Sequence, residues 1–439
     1  MIAGGDRVFS AFRSSRPGEL AAPDLRRMIA QHVLSLWSDE QTVAAHRLLH
    51  HATGRAIVHL AELDLTPEDR VFAQSVISLR GLYMGTGPAP RDPVSVSTTA
   101  DDFLAAEIDK WSPIKALNFA LLMALPATQN PALVATIRNE GISILEWIAH
   151  NKAIGFAKIF IYTNDNNDGS LSMLEALANA GEIRLIKNEV DPHVAPQAKA
   201  YEHSLHLLTE LRNHKWVAYL DADEFLICNA GPNHSLSEIL DRIQIPLDDK
   251  VSSISLNWKW FSSKNAYNRS PGLVLERFDT STPNEHVKSI VRLCDVITMK
   301  HLHSPIMFKG SLTLNGAFKQ FDRLSVTTPP EYKYGQINHY WSKSFQEFVL
   351  KKARGRGTKG VAGEQRDFTN FFDWDVPHAA QIDVPPAVIV DNAKRELSRL
   401  LSIDGIAGHL LDIENRCAET LEHFDRQFNM KKIYDARGR

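Results

Sequence analysis

From residue 134 onward, short runs rich in β-branched and aromatic residues alternate with longer stretches whose apolar residues recur at helical spacing. "ALVATIR" reads as a strand, "ISILEWIAHNKAIG" as a helix, "KIFIYT" as a strand and "LSMLEALANAG" as a helix closed by Gly181. "EIRLIKN" makes a third strand, "PQAKAYEHSLHLLTELRNH" a third helix and "KWVAYLD" a fourth strand. This order predicts a mostly parallel sheet with crossover helices, because parallel neighbours need a long return connection. In open sheets of this kind ligands sit outside the carboxyl ends of the strands. Asp165, Asp168, Asp221 and Asp223 all fall at such ends, so they are expected to converge on one crevice.

The rest of the pattern is less regular. Residues 1 to about 83 read as helical, with a start signal in which Thr66 caps, Pro67 fits the first turn, and Glu68 and Asp69 favour the positive end. Residues 84 to 102 are rich in Gly, Pro, Ser and Thr and read as a linker. After the acidic turn at 221–224, Ser235 and Glu238 form a capping-box signature for "LSEILDRI", and "VSSISLNWKWF" reads as a strand. Strands near 287–293 and helices at 342–353 and 392–426 complete the reading. The expected organisation is an α-helical N-terminal region over 1–130, an α/β domain over 131–360 and a mainly helical C-terminal extension over 361–439.

Composition narrows the classes. The chain has 439 residues, enough for two or three domains, and its formal net charge of −3 gives no general electrostatic case for a nucleic-acid partner. Cys228, Cys294 and Cys417 are few, odd in number and far apart, so neither a disulfide framework nor a paired-cysteine metal site is indicated, and a cytoplasmic setting is the simpler expectation. No secretory signal is visible in the first thirty residues. The most apolar stretch, "ALNFALLMALPA", is shorter than the ~18–20 residues that span a bilayer. No transmembrane segment is expected, and peripheral contact with an inner membrane stays open.

The chemistry concentrates in "HKWVAYLDADEFLI", where Asp221, Asp223 and Glu224 follow an apolar run. Ionised carboxylates removed from water cost several kcal/mol unless something positive meets them. Two carboxylates at this spacing can hold Mg2+ or Mn2+ together with substrate phosphates, whereas on local sequence alone they can equally cap a turn. Asp373 and Asp375 share the same spacing, but they follow no β-rich run and precede Pro377, which argues for a loop. Lys351, Lys352, Arg354, Arg356 and Lys359 form a basic run among glycines, suited to closing over a diphosphate or to a solvated helix end. Lys288 and Arg292 are further phosphate candidates. Trp258 and Trp260 share a strand face, for core packing or for stacking on a sugar.

The segments "RNEGISILEWIAHNKAIGFAKIFIYTNDNNDGS", "HKWVAYLDADEFLI", "SLNWKWFSS", "VKSIVR", "HLHSP" and "INHYWSKSFQEFVLKKARGRG" occur in this order. Together they resemble a family of bacterial family-2-like glycosyltransferases related to family 92, over about residues 134–360. The resemblance implies a GT-A fold, Rossmann-like and mostly parallel, and transfer of a sugar from a nucleotide-sugar donor, UDP- or GDP-linked, to a glycan or lipid-linked acceptor, with inversion. It further implies a divalent metal, Mn2+ or Mg2+, at Asp221 and Asp223, with His339 as a further ligand. Asn139, Glu140, Thr163, Asn164, Asp165 and Asp168 would line the nucleotide pocket, and Lys288, Arg292, His303, Lys352 and Arg354 would meet donor or acceptor. The bacterial setting it suggests is cell-surface polysaccharide assembly.

Two departures stand out. Thr163 occupies a place where the family pattern commonly has an aspartate, and "EWIAHN" replaces the more usual EWIAYH. The residues do not identify a catalytic base: Glu224 lies close to the metal pair, and Glu285 and Asp322 are no better supported. Two other readings stay open, a non-catalytic nucleotide- or glycan-binding module of the same fold and a DxD-type phosphatase. The phosphatase pattern is poorly met, because Phe225 stands two positions after the second aspartate and the motif follows the fourth strand.

Overall fold

The computed structural model describes residues 95–97, 127, 130–191, 193–247, 251–299, 303, 305–307, 312–320, 327–354, 366–375 and 381–437. The strands are β1 (Ser95–Ser97), β2 (Ala132–Ile137), β3 (Lys158–Thr163), β4 (Arg184–Lys187), β5 (Trp216–Tyr219), β6 (Glu224–Cys228) and β7 (Val251–Phe261). They continue with β8 (Thr280–Arg292), β9 (Val296–Thr298), β10 (Ile306–Met307), β11 (Leu312–Leu314), β12 (Gly335–His339) and β13 (Gln381–Ile382). The helices are α1 (Gly141–Ala153), α2 (Ser170–Asn179), α3 (Pro196–His206), α4 (Leu236–Leu247) and α5 (Val274–Arg277). Then come α6 (Phe345–Arg354), α7 (Thr369–Trp374), α8 (Ala387–Leu401), α9 (Ile406–Phe428) and α10 (Met430–Arg437).

The central sheet runs β1-β4-β3-β2-β5-β8-β7-β12-β6. Strands β1, β4, β3, β2 and β5 pair in parallel, which the alternating pattern predicts for β2 to β5. Past β5 the sheet turns mixed: β8 is antiparallel to both β5 and β7, β12 is parallel to β7, and β6 is antiparallel to β12. The result is a mixed α/β fold whose large sheet is mostly parallel and flanked by helices.

Period-two alternation sorts the strand side chains into two cores. Leu133, Ala135 and Ile137 of β2, Ile159 and Ile161 of β3 and Trp216 and Ala218 of β5 pack with α1, α2, α8 and α9. Ala132, Val134, Phe160, Tyr162, Val217 and Tyr219 pack on the other face with Ala200, Tyr201 and Leu205 of α3. Both faces are covered, so these strands read as continuous apolar runs. Each fully buried Ile, Leu or Phe contributes about 1.5–3 kcal/mol of transfer free energy.

Several boundaries differ from the sequence expectation. The third helix stops at His206 and continues as a short tighter turn over Thr209–Asn213. The expected helix over 392–426 is two helices, broken where Gly405 takes φ 81°. β1 lies inside the stretch read as a linker, adding to the sheet edge beside β4. Asp373 and Asp375 do not lie in a plain loop: α7 carries Asp373 and ends just before Asp375. The helical reading of residues 1–83 and the apolar stretch at 116–126 lie outside the described residues.

The C-terminal helices are part of the same core and also brace the loops above the sheet. A Cβ on Gly169, whose φ is 87°, would come within 2.9 Å of the Asp412 carboxylate on α9. Gly169→Ala is therefore expected to lower unfolding free energy by ~1–3 kcal/mol through the left-handed backbone alone, measurable by urea denaturation. A loss below half a kilocalorie would show that the loop relaxes freely.

Candidate functional site

The carboxyl ends of β2, β3 and β5 open on a cleft of about 760 Å3. Its walls include Arg138, Glu140, Asn164 and Asp165 from the first two loops, Gln197 from α3, and Asp221 and Asp223 from the turn after β5. The lining also takes in Trp258 and Trp260 of β7, His339 of β12, Trp341, and Lys351, Lys352 and Arg354 of α6. A parallel sheet explains the convergence, since consecutive loops at its carboxyl edge lie side by side although they are far apart in sequence.

The acidic turn is held from several sides. Trp147 Nε1 of α1 donates to the Glu224 carbonyl at 2.8 Å, and a ring nitrogen of His150 lies 2.8 Å from the Leu226 carbonyl, so α1 secures β6 at the sheet edge. The Tyr340 amide donates to the Asp223 carbonyl at 2.9 Å. Antiparallel pairing of β12 with β6 sets His339 opposite Glu224 and so beside Asp223. That register is what places a residue 116 positions later in the site.

Each aspartate is met by a buried lysine. Asp221 accepts from Gln197 Nε2 at 2.7 Å on Oδ1 and from Lys288 Nζ at 3.0 Å on Oδ2. Lys288 also stands 3.2 Å from Glu224 Oε2. Asp223 Oδ2 accepts from Lys351 Nζ at 2.5 Å, and Asp223 Oδ1 lies 3.6 Å from His339 Nε2. Burial works against ionisation of Asp223, but the Lys351 ammonium beside it outweighs burial and holds its carboxyl well below the usual range. Burial lowers Lys351 to about 8, which leaves it charged at neutral pH. Glu224 is pushed up to about 8 by burial against the pull of Lys288. His339 is lowered by burial and is neutral, packed between the Trp258 and Trp260 rings with centroids at 4.2 and 5.0 Å.

The fit to a divalent cation can be judged from these donors. Among the described residues, no group of three or more His, Cys, Asp or Glu side chains is gathered for a metal. Asp223 Oδ1 and neutral His339 Nε2 face each other at a distance too long for a hydrogen bond. A carboxylate oxygen and an imidazole nitrogen so placed suit Mn2+ or Mg2+ as two ligands. Both oxygens of Asp221 are already engaged by Gln197 and Lys288, so it would join them only on exchanging one of those bonds.

The other expected site residues divide. Glu140 and Arg354 form an ion pair inside the cleft, and burial with Arg366 and Arg138 nearby drives the Arg354 guanidinium well below its usual value. Asn164 donates to Asp165 Oδ2 at 2.9 Å, and both line the cleft. His303 lines it too, its Nδ1 3.2 Å from the Val287 carbonyl, and burial lowers it to about 3. Lys352 sits over the Phe368 ring at 5.0 Å.

Asn139, Thr163 and Asp168 instead build the loops that carry the site. The Asn139 amide donates to Asn166 Oδ1, its side chain makes reciprocal bonds with Asn167, and Thr163 Oγ1 donates to the Ile137 carbonyl at 3.0 Å, tying the ends of β2 and β3. Asp168 accepts from the amides of Gly141 and Ser170, joining the starts of α1 and α2. Arg292 does not reach the cleft. It pairs with Trp216 at the start of β5, the end opposite Asp221, and its Nε donates to Asp295 Oδ2 at 2.6 Å in a buried ion pair.

The basic run is not a loop where it meets the site: Lys351, Lys352 and Arg354 lie on α6, while Arg356 and Lys359 lie outside the described residues. The second DxD is spent on structure, with Asp375 accepting from Ser263 and Ser342. Gln197, Arg138, Trp341, Arg366 and Trp374 line the cleft without a local signal that sets them apart. For Lys351 the signal existed, since it opens the basic run on the buried side of an amphipathic helix. All three cysteines carry free thiols. Among the described residues, no helix is long and apolar enough to cross a membrane.

Comparison with known proteins supplies the family. A curated glycosyltransferase family 92 protein of Ricinus communis is 33% identical over 99 residues, 22% of this chain and 17% of that protein, so the alignment spans under a fifth of the relative. The crystal structure of S. aureus TarS is similar at a TM-score of 0.26 and 11% identity, covering 64% of this chain and 45% of that one. The sequence model of glycosyltransferase family 92 matches residues 137–377, from the end of β2 through α7, and this match over more than half of the chain makes it a member of glycosyltransferase family 92.

Proposed function

We propose that this chain is a GT-A type glycosyltransferase that moves a sugar from a nucleotide-sugar donor to a hydroxyl of a glycan or lipid-linked acceptor, with inversion. The observation that carries the proposal is the pair Asp221 and Asp223, at the carboxyl edge of the sheet, opening on a large cleft that Lys351, Lys352, Arg354 and Arg366 also line. Family membership supports glycosyl transfer in general.

In this reading the nucleoside lies toward the ends of β2 and β3, against Arg138, Asn164 and Asp165. The diphosphate lies over the Asp221–Asp223 turn, beside Lys351, Lys352 and Arg354. Asp223 and His339 would hold Mn2+ or Mg2+, with Asp221 as a further ligand. When bound, such an ion supplies Lewis-acid stabilisation of the leaving diphosphate. Lys351 and Arg354 add charge-assisted hydrogen bonds to the same oxygens. Lys288 orients Asp221 from below, and the Trp258 and Trp260 rings narrow the cleft beside His339. The acceptor hydroxyl attacks the anomeric carbon from the open side and loses its proton to a base that the residues do not identify, and the glycosidic bond forms as the bond to the departing nucleoside diphosphate breaks. The setting we infer is the cytoplasmic face of a bacterial inner membrane.

The test is thermal stability against a panel of nucleoside diphosphates, with Mn2+ and with chelator. A ligand that binds only the native state raises apparent stability by mass action. Stabilisation by one nucleotide that requires metal and disappears in Asp221→Ala/Asp223→Ala is the expected result. It would be followed by turnover of the corresponding nucleotide sugars. Binding without turnover of any donor would favour a non-catalytic module, and no stabilisation by any nucleotide would overturn the donor site.

A further inference from the structure

The Lys351–Asp223 pair has a consequence for the order in which the site fills, and this consequence rests on the donor-site reading above. We propose that Lys351 competes with the divalent cation for Asp223, and that the diphosphate of an incoming nucleotide draws Lys351 away, so that metal and nucleotide bind cooperatively.

Asp223 is shared between two neighbours. Its Oδ2 takes the Lys351 ammonium at 2.5 Å, and its Oδ1 faces His339 Nε2 at 3.6 Å. Lys351 is anchored on α6, donates to the Trp341 carbonyl at 2.7 Å and lies 4.8 Å from the centroid of the Trp341 ring. It lines the same cleft as Asp223, so its ammonium borders both the carboxylate and the space a diphosphate would enter.

Charge sets the coupling. Lys351 offsets Asp223 and Lys288 offsets Asp221, so the paired groups at the turn sum to no net charge. A divalent cation entering alone adds two positive charges next to the Lys351 ammonium, in a lining that already carries Lys352 and Arg366 besides the Arg354–Glu140 pair. Among buried groups this repulsion is weakly screened. A diphosphate brings the negative charge the site lacks. The flexible lysine side chain can then exchange a carboxylate oxygen for a phosphate oxygen without losing a charge-assisted bond. Asp223 is freed for the metal at the same step. By linkage, each ligand strengthens the other by the same factor.

The experiment uses the full chain, with free Mn2+ followed by electron paramagnetic resonance and nucleotide binding by calorimetry with UDP and with GDP, corrected for Mn2+ bound by free nucleotide. Lys351→Met is compared with Lys351→Arg, which keeps the charge, and with Lys351→Gln in case the methionine variant does not fold. Without nucleotide, the neutral variants are expected to bind Mn2+ roughly tenfold tighter than wild type. They should also lose most of the enhancement that nucleotide gives wild type, and Lys351→Arg should behave as wild type does. Unchanged or weaker Mn2+ binding in the neutral variants would overturn the proposal. If no nucleoside diphosphate binds any variant, the donor-site reading fails, and the Mn2+ titration still decides the competition at Asp223.

Discussion

Asp223→Asn is expected to lower kcat/KM for donor turnover by roughly a thousandfold, about 4 kcal/mol of transition-state stabilisation. The change keeps size and shape but removes the charge that faces both His339 and Lys351. A neutral amide is a poor ligand for a divalent cation, and the substitution also leaves the Lys351 ammonium without its counter-ion in the cleft wall. The backbone bond from Tyr340 to residue 223 does not depend on the side chain, so the turn should hold its course. Circular dichroism and melting would confirm that the fold survives, and initial rates with the stabilising nucleotide's sugar would give the effect. Asp165→Asn is the contrast, since Asp165 lines the same cleft but accepts only from Asn164 among the hydrogen bonds described. A loss within tenfold for Asp223→Asn would remove the carboxylate from the catalytic account.

Glu347→Ala is expected to cost about 3–5 kcal/mol of stability, the usual penalty for breaking a buried ion pair from one side. Glu347 takes both Nη groups of Arg277 at 2.7 and 2.8 Å, with the two side chains only 4% and 5% exposed. Its Oε2 also accepts from the amide and hydroxyl of Ser344 at the start of α6, the helix that carries Lys351. Burial opposes ionisation of Glu347, yet Arg277 outweighs it and lowers the carboxyl to about 2. The sign follows from that depression. The contribution is complete above the ordinary glutamate range near 4.5 and is lost as pH falls towards about 2. Denaturant unfolding across this window should show wild type losing stability more steeply than Glu347→Ala. Parallel curves would mean that Glu347 is not the titrating group. A milder variant, Glu347→Gln, should fall between the two, because its amide can still accept from Ser344.

How far each part could be read in advance follows from its physics. Strands β2 to β5 of the parallel half and their crossover helices were legible, since strands buried on both faces leave apolar runs such as "KIFIYT" and the helices between them show their own period. Asp221 and Asp223 were legible for a related reason: charge at the end of a buried strand is costly enough to demand a partner. The order of β8, β7, β12 and β6 was not, because antiparallel and parallel pairing leave the same alternation in a single strand. Their arrangement depends on which edge each strand finds. Arg292 was misjudged on this account, since its distance from Lys288 along an extended strand carries it to the far end of β5. Thr163, Asn139 and Asp168 sit where the pattern placed them, yet their polar groups are turned into the loops.

The sequence by itself determined the alternating elements, the carboxyl-edge location of the acidic turn and the family segments, because local periodicity and burial cost are written in neighbouring residues. Only the tertiary structure decided which positive groups meet the aspartates. Lys288 and Lys351 come from a strand and a helix far along the chain, brought to Asp221 and Asp223 by sheet register and helix packing. A buried charge requires a counter-charge but does not specify where along the chain it comes from.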